Sequence, residues 1–236
     1  MNKNQLILSG LFITLFIFLA ANFAGVKLQL NADFLPHSFS IHTLMLLLTI
    51  IIILGMKDRV GYSISLPRIN YLWKPVLIAI VVTIGVNILM EGISVILKKS
   101  TIPAVAGETV EGHALLASMD PLQIILFVFF YASIAEEILF RGFLQNYLHP
   151  LKTGGFRLFK RQISLPVIIA ALAFGAAHLV LIKTGANMMF ITRIVIFTSC
   201  LGLVAGYYQE KHNNNSYAII VHMAGNLPAV IAAFFM

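Results

Sequence analysis

Apolar stretches long enough to cross about 30 Å of hydrocarbon recur from one end of this chain to the other, beginning with "LILSGLFITLFIFLAANFAGV" at residues 6–26. No run of soluble-domain sequence separates them. Hydrophobic residues make up 59% and charged residues 11% of the 236 residues, against about 45–50% and about 25% in soluble domains. An all-α, polytopic membrane protein follows, with about seven transmembrane helices. The expected spans are 5–26, 40–56, 74–97, 121–149, 163–182, 187–209 and 216–236. They leave no room for a soluble module, so residues 1–236 form a single integral membrane domain. The first stretch is longer than a signal-peptide core and lacks an A-x-A closure, so it reads as a retained span.

Punctuation supports these limits. Asp120-Pro121 pairs a capping residue with proline at the first helical position. Pro150 and Gly154-Gly155 close the fourth helix, with a loop over 150–162, and Ser216 is the expected cap of the seventh.

The formal charge of +7 does not call for a nucleic-acid partner, because Lys and Arg gather in short loops between apolar runs, the pattern that encodes membrane topology. Ten of the sixteen fall on the side of the N-terminus and four on the other. The expectation is a multi-pass protein of the cell membrane with a cytoplasmic N-terminus. The single cysteine, Cys200, allows neither an intrachain disulfide nor a Cys-rich metal site.

Against this background the polar residues inside spans carry information. A charged group at mid-membrane costs about 2.5–3.5 kcal/mol on insertion scales, so it faces a protein interior or a wet cavity. "IAEEILFRG", residues 134–142, places Glu137 and Arg141 four apart on one helix face, where they can pair. Glu136 points about 100° away and is left free. "FGAAH", 174–178, sets Phe174 and His178 on one face beside small residues that admit a neighbouring helix. "HMAGN", 222–226, does the same for His222 and Asn226.

Each of these alone is as readily packing as function. Depth connects them. About thirteen residues separate Glu136 from Pro150, and His178 lies fifteen after Ile163. At about 1.5 Å per residue both are roughly 20 Å from the same face, and Asn226 is roughly 15 Å deep. Gly202 and Gly206 form a small-xxx-small pair suited to close packing. Glu91 and Arg193 lie near span ends, where snorkelling accounts for them. His37, His42 and His113 fall in or next to loops and carry no assigned role.

A carboxylate, two imidazoles and an amide converging in a wet membrane pocket suit hydrolysis. Glu136 can take a proton from water with His178 assisting, while His222 and Asn226 donate to the developing oxyanion. G-x-S-x-G and H-E-x-x-H are absent. Glu136, His178 and His222 could instead hold one zinc ion. Spacing alone leaves metal and metal-free sites open.

E-E-x-x-x-R, F-x-x-x-H and H-x-x-x-N, in that order on three spans, resemble the CPBP family of CAAX proteases and bacteriocin-processing enzymes. The resemblance covers about 120–230. It implies an intramembrane endopeptidase, glutamate-type or zinc-dependent. Glu136 would be the activating carboxylate and His178 its partner on the water. His222 and Asn226 would form the oxyanion pocket, and Glu137 with Arg141 would orient the site. It implies as substrate a membrane-associated peptide or lipidated protein, of CAAX type or related to bacteriocins. Two other functions use the same pocket: a non-catalytic immunity or binding protein, and a proton-coupled transporter, although no transporter-like repeat is visible.

Overall fold

A computed structural model describes residues 2–28, 34–36, 38–100, 119–158 and 160–234; His37 and His113 lie outside them. Among the described residues the chain forms seven long helices: α1 (Lys3–Lys27), α2 (Ser38–Gly55), α3 (Trp73–Ser100), α4 (Pro121–Gln145), α5 (Leu165–Thr184), α6 (Met188–His212) and α7 (Asn215–Ala233). Six of these segments are long and apolar enough to cross a membrane. The seventh is α7, which carries His222 and Asn226.

Local chemistry fixes several ends. Asn2 and Gln5 form a reciprocal capping box on α1, and Asp120 and Gln123 form another on α4, with Pro121 in the first turn. At α7 the expected cap is displaced. The helix starts at Asn215, and the Asn214 side chain accepts from the Ser216 N–H at 3.1 Å, leaving the Ser216 hydroxyl to donate to the Ser65 carbonyl at 2.7 Å. The fourth helix gives way to a 3₁₀ turn at His149–Leu151. The expected loop over 150–162 instead contains an antiparallel hairpin, β1 (Gly155–Leu158) with β2 (Arg161–Ser164). Gly155 begins it at φ 132°, and a Cβ there would collide with the Ile163 carbonyl, so the turn into the strand requires glycine.

Helix α4 is the hub, packing against α1, α2, α5, α6 and α7. One core joins α1, α2, α4 and α5 through Ile17, Met45, Leu139, Phe143 and Phe174. A second joins α3, α6 and α7 through Ala79, Leu201, Tyr208 and Val221. The backbone of α4 widens to π-type bonding over Ile124–Ala132 and Ile138–Gln145 and keeps an α-helical turn at Ser133–Glu137 between them. Such widenings are frequent at functional sites.

Close approach is set by small residues. A Cβ on Gly25 would lie 2.7 Å from Ile41 Cα, and one on Gly202 would lie 2.5 Å from Arg141 Nη2. The Gly202–Gly206 face therefore makes room for side chains of α4, Arg141 at one position and Gln145 at the other. Glu91 and Arg193, expected to snorkel separately, pair at 3.1 Å between α3 and α6. Gly202→Ala is expected to lower stability by about 1–3 kcal/mol through overpacking, read as a lower thermal midpoint of the protein in detergent.

Candidate active site

The two adjacent glutamates of α4 occupy different surroundings. Glu137 is fully buried. Its Oε1 accepts from Arg141 Nη1 at 2.8 Å and lies 3.0 Å from His222 Nδ1. Arg141 is equally buried, with its guanidinium carbon 4.6 Å from the centre of the Phe174 ring. The ring face attracts the cation. The pair foreseen from four-residue spacing thus becomes a three-helix junction, with α7 bringing His222 and α5 bringing Phe174.

Glu136, one residue earlier, keeps 19% of its side chain exposed. Its Oε2 is 3.8 Å from His222 Nε2, and its Oε1 is 3.4 Å from His42 Nε2. His222 therefore stands between the two carboxylates. Since an ionised carboxylate only accepts, Nδ1 carries a proton and donates it to Glu137. Nε2 is then the nitrogen presented toward Glu136.

His178 is half-buried at the point where α5 tightens into 3₁₀ helix. Its Nδ1 is 3.0 Å from the Phe174 carbonyl. That carbonyl can only accept, so Nδ1–H donates and Nε2 keeps its lone pair. His178 is close enough to Glu136 for the two to interact electrostatically, as His222 and His42 also do. The Phe174 ring meets His178 edge-on at 5.2 Å and His222 at 5.3 Å, fixing both imidazoles around one aromatic wall.

Asn226 is engaged elsewhere: its Nδ2 donates to Ser133 Oγ at 3.3 Å. It borders α4 one turn before Glu137 and does not share an acceptor with His222 in this arrangement.

The structure therefore brings Glu136, Glu137, Arg141 and His222 into direct contact, with His178 beside them and Asn226 on the adjacent turn. Two members were not foreseen. Ser133 lies four residues before Glu137, a spacing that could have flagged it. His42, read as a residue next to a loop, sits on the fifth position of α2 against Glu136; no periodicity within one helix links α2 to α4. Zinc finds no ready cage here. Among the described residues no group of three or more His, Cys, Asp or Glu side chains is placed to hold a metal ion.

A carboxylate left reachable among imidazoles, held by several apolar helices, defines a helical membrane protein with an intramembrane polar centre. Residues 118–228 match the family described as Rce1-like, type II CAAX prenyl endopeptidase Rce1-like, over the stretch in which the three motifs resemble the CPBP family. Neither a curated protein nor a solved structure matches the chain. The matched segment contains Glu136, Glu137, Arg141, His178, His222 and Asn226; His42 lies before it.

Removing one partner of a buried ion pair strands the other, at a cost of about 3–5 kcal/mol. Arg141→Met is expected to destabilise by that order, and the Glu137→Leu/Arg141→Met double variant by less than Arg141→Met alone. Unfolding midpoints in detergent measure both.

Proposed function

We propose that the chain is an intramembrane endopeptidase in which Glu136 activates water for attack on a peptide bond. One observation carries this reading: Glu136 remains 19% exposed among imidazoles, where a water can reach it, while the adjacent Glu137 is fully buried, with Oε1 held by Arg141 and His222. A general base must have a free lone pair within reach of the proton that it removes. Of the two glutamates, Glu136 alone is reachable by water, since Glu137 has no exposure.

In the proposed reaction the water donates one hydrogen bond to Glu136 Oε2 and another to the lone pair on His178 Nε2. Glu136 takes the proton as the water oxygen bonds to the scissile carbonyl carbon. The resulting oxyanion receives hydrogen bonds from the Asn226 amide, released from Ser133, and from Nε2–H of His222, which takes up a proton from bulk water before the attack and keeps it through the turnover. Glu137 supports that imidazolium through Nδ1. Glu136 then returns its proton to the departing amine as the C–N bond breaks. Each oxyanion donor is worth about 10²–10³ in rate.

The substrate is a membrane-associated peptide or lipidated protein, of CAAX or bacteriocin-related type. An apolar groove of 430 Å³ lies between α1 and α5, lined by Leu15, Phe18, Phe140, Ala177, Leu179 and Val180. Two of these flank His178 in the chain, so an apolar substituent seated there would bring its peptide to the site. The distribution of Lys and Arg supports a cytoplasmic N-terminus in the cell membrane.

Glu136→Ala and Glu136→Gln are expected to abolish cleavage, a loss of at least about 10²-fold, with expression and membrane insertion intact. Comparative mass spectrometry of membrane peptides, with and without the active protein, reads the outcome and identifies the substrate. Persistent cleavage in Glu136→Ala would overturn the assignment. Since the donors do not cluster as a ligand set, chelator treatment is expected to leave the rate within about twofold. Loss restored by zinc would make these imidazoles ligands instead.

A further inference from the structure

Among the described residues, the site draws one ionisable side chain from outside the matched segment. His42 is on α2, its Nε2 is 3.4 Å from Glu136 Oε1, and the two side chains are similarly shielded, at 17% and 19% exposed. From the sequence this histidine looked like part of a helix start next to a loop. We infer that His42 is a positioning residue: its Nε2–H donates to Oε1 of Glu136 and turns the free lone pair of Oε2 toward the water. The role rests on the proposal that Glu136 is the general base.

The surroundings of His42 hold it in place from both sides in sequence. Ser40 Oγ donates to the Leu28 carbonyl at 3.2 Å, fastening the start of α2 to the end of α1. Thr43 Oγ1 donates to the Phe39 carbonyl and accepts from the Tyr131 hydroxyl at 2.7 Å. Tyr131 is on α4, five residues before Glu136. The Phe39 ring stacks on that of Tyr131 at 5.2 Å and meets Phe127 edge-on at 5.5 Å. Next to His42, Ile41 packs against Gly25 so closely that a Cβ on Gly25 would lie 2.7 Å from the Ile41 backbone. The first turns of α2 are thus clamped to α1 and α4, and His42 projects from that clamped segment onto the carboxylate.

A hydrogen bond to one oxygen of a carboxylate does two things. It stops the group rotating about its last torsion, and it leaves the other oxygen as the basic one. His222 approaches Oε2 from the opposite side at 3.8 Å, too far for a direct hydrogen bond and far enough to admit a shared water. Oε1 is therefore the anchored oxygen and Oε2 the working one.

Two measurements test this on the full-length protein. The first needs no substrate. In ¹⁵N-histidine NMR of the protein in lipid nanodiscs, the His42 resonance, assigned by its loss in His42→Gln, is expected to report an Nε2–H tautomer and to shift in Glu136→Gln. A resonance indifferent to Glu136→Gln would overturn the contact. The second is kinetic and uses a farnesylated CAAX-type peptide, or a peptide from the membrane comparison above if that one is not cleaved. His42→Ala is expected to lower kcat by up to about 10²-fold, the cost of a misplaced reacting group, with KM within about twofold. His42→Gln, which restores a donor, is expected to recover most of the loss.

His42→Phe separates packing from hydrogen bonding. It keeps a ring in the clamp, so it is expected to fold and to remain as slow as His42→Ala. It also decides the question if His42→Ala does not fold. Full activity in His42→Phe, or a His42→Gln variant no faster than His42→Phe, would overturn the inference. If Glu136→Ala is inactive while His42→Phe is fully active, only the role of His42 falls. Activity in Glu136→Ala would instead remove the glutamate mechanism itself.

Discussion

The Glu137–Arg141 pair is the interaction on which the rest of this arrangement depends. Two full charges with no exposure could not lie inside an apolar bundle unless they met each other. Four residues of helix bring them to 2.8 Å. The remaining demands of the pair recruit the neighbouring helices. Arg141 needs an aromatic face, which Phe174 of α5 supplies, and it needs volume, which Gly202 of α6 leaves open. Glu137 accepts a second donor from His222 of α7. A hub helix held by three partners around one ion pair is a rigid platform. The active groups can then be placed on it with little freedom to move.

An amide layer continues the same logic along α4. Gln145 donates to the Gly206 carbonyl and to the Gln209 side chain, and Gln209 donates to Asn146. Hydrogen bonds between buried amides hold α4 and α6 in register about one turn beyond the ion pair. Where apolar contacts alone would let two helices slide, directional bonds to partners with no water alternative do not.

Much of this was legible because helical geometry is local. The Glu137–Arg141 pair, the separate direction of Glu136 and the matched depth of His178 all follow from rise and periodicity along one helix or one connection. What was not legible required knowing which distant helices are neighbours. His42 and Glu136 are 94 residues apart, and no spacing rule relates α2 to α4. Glu91 and Arg193 each looked sufficient at a span end, yet they meet across 102 residues. The hairpin at 155–164 was hidden for another reason: two strands of four residues are too short for alternation to stand out from loop sequence. The cap of α7 moved by two residues because Asn213 is taken up as the left-handed end of α6 and Asn214 is held in place by Ser65.

The adjacency of the two glutamates also explains their division of labour. Neighbouring residues on a helix point about 100° apart, so one can face the junction of α4 with α5 and α6 while the other faces the space between α2 and α7. Glu137, with Oε1 committed to a guanidinium and an imidazole and no part of it exposed, is closed to a water. Glu136, held at Oε1 by His42 and partly exposed, presents a basic lone pair that a water can reach. His222 spans the gap between them, with one nitrogen on each side. A proton arriving at Nε2 would therefore be supported from behind by Glu137 while facing Glu136. In the proposed reaction, this single ring lets the buried carboxylate act on chemistry at the exposed one without touching a substrate.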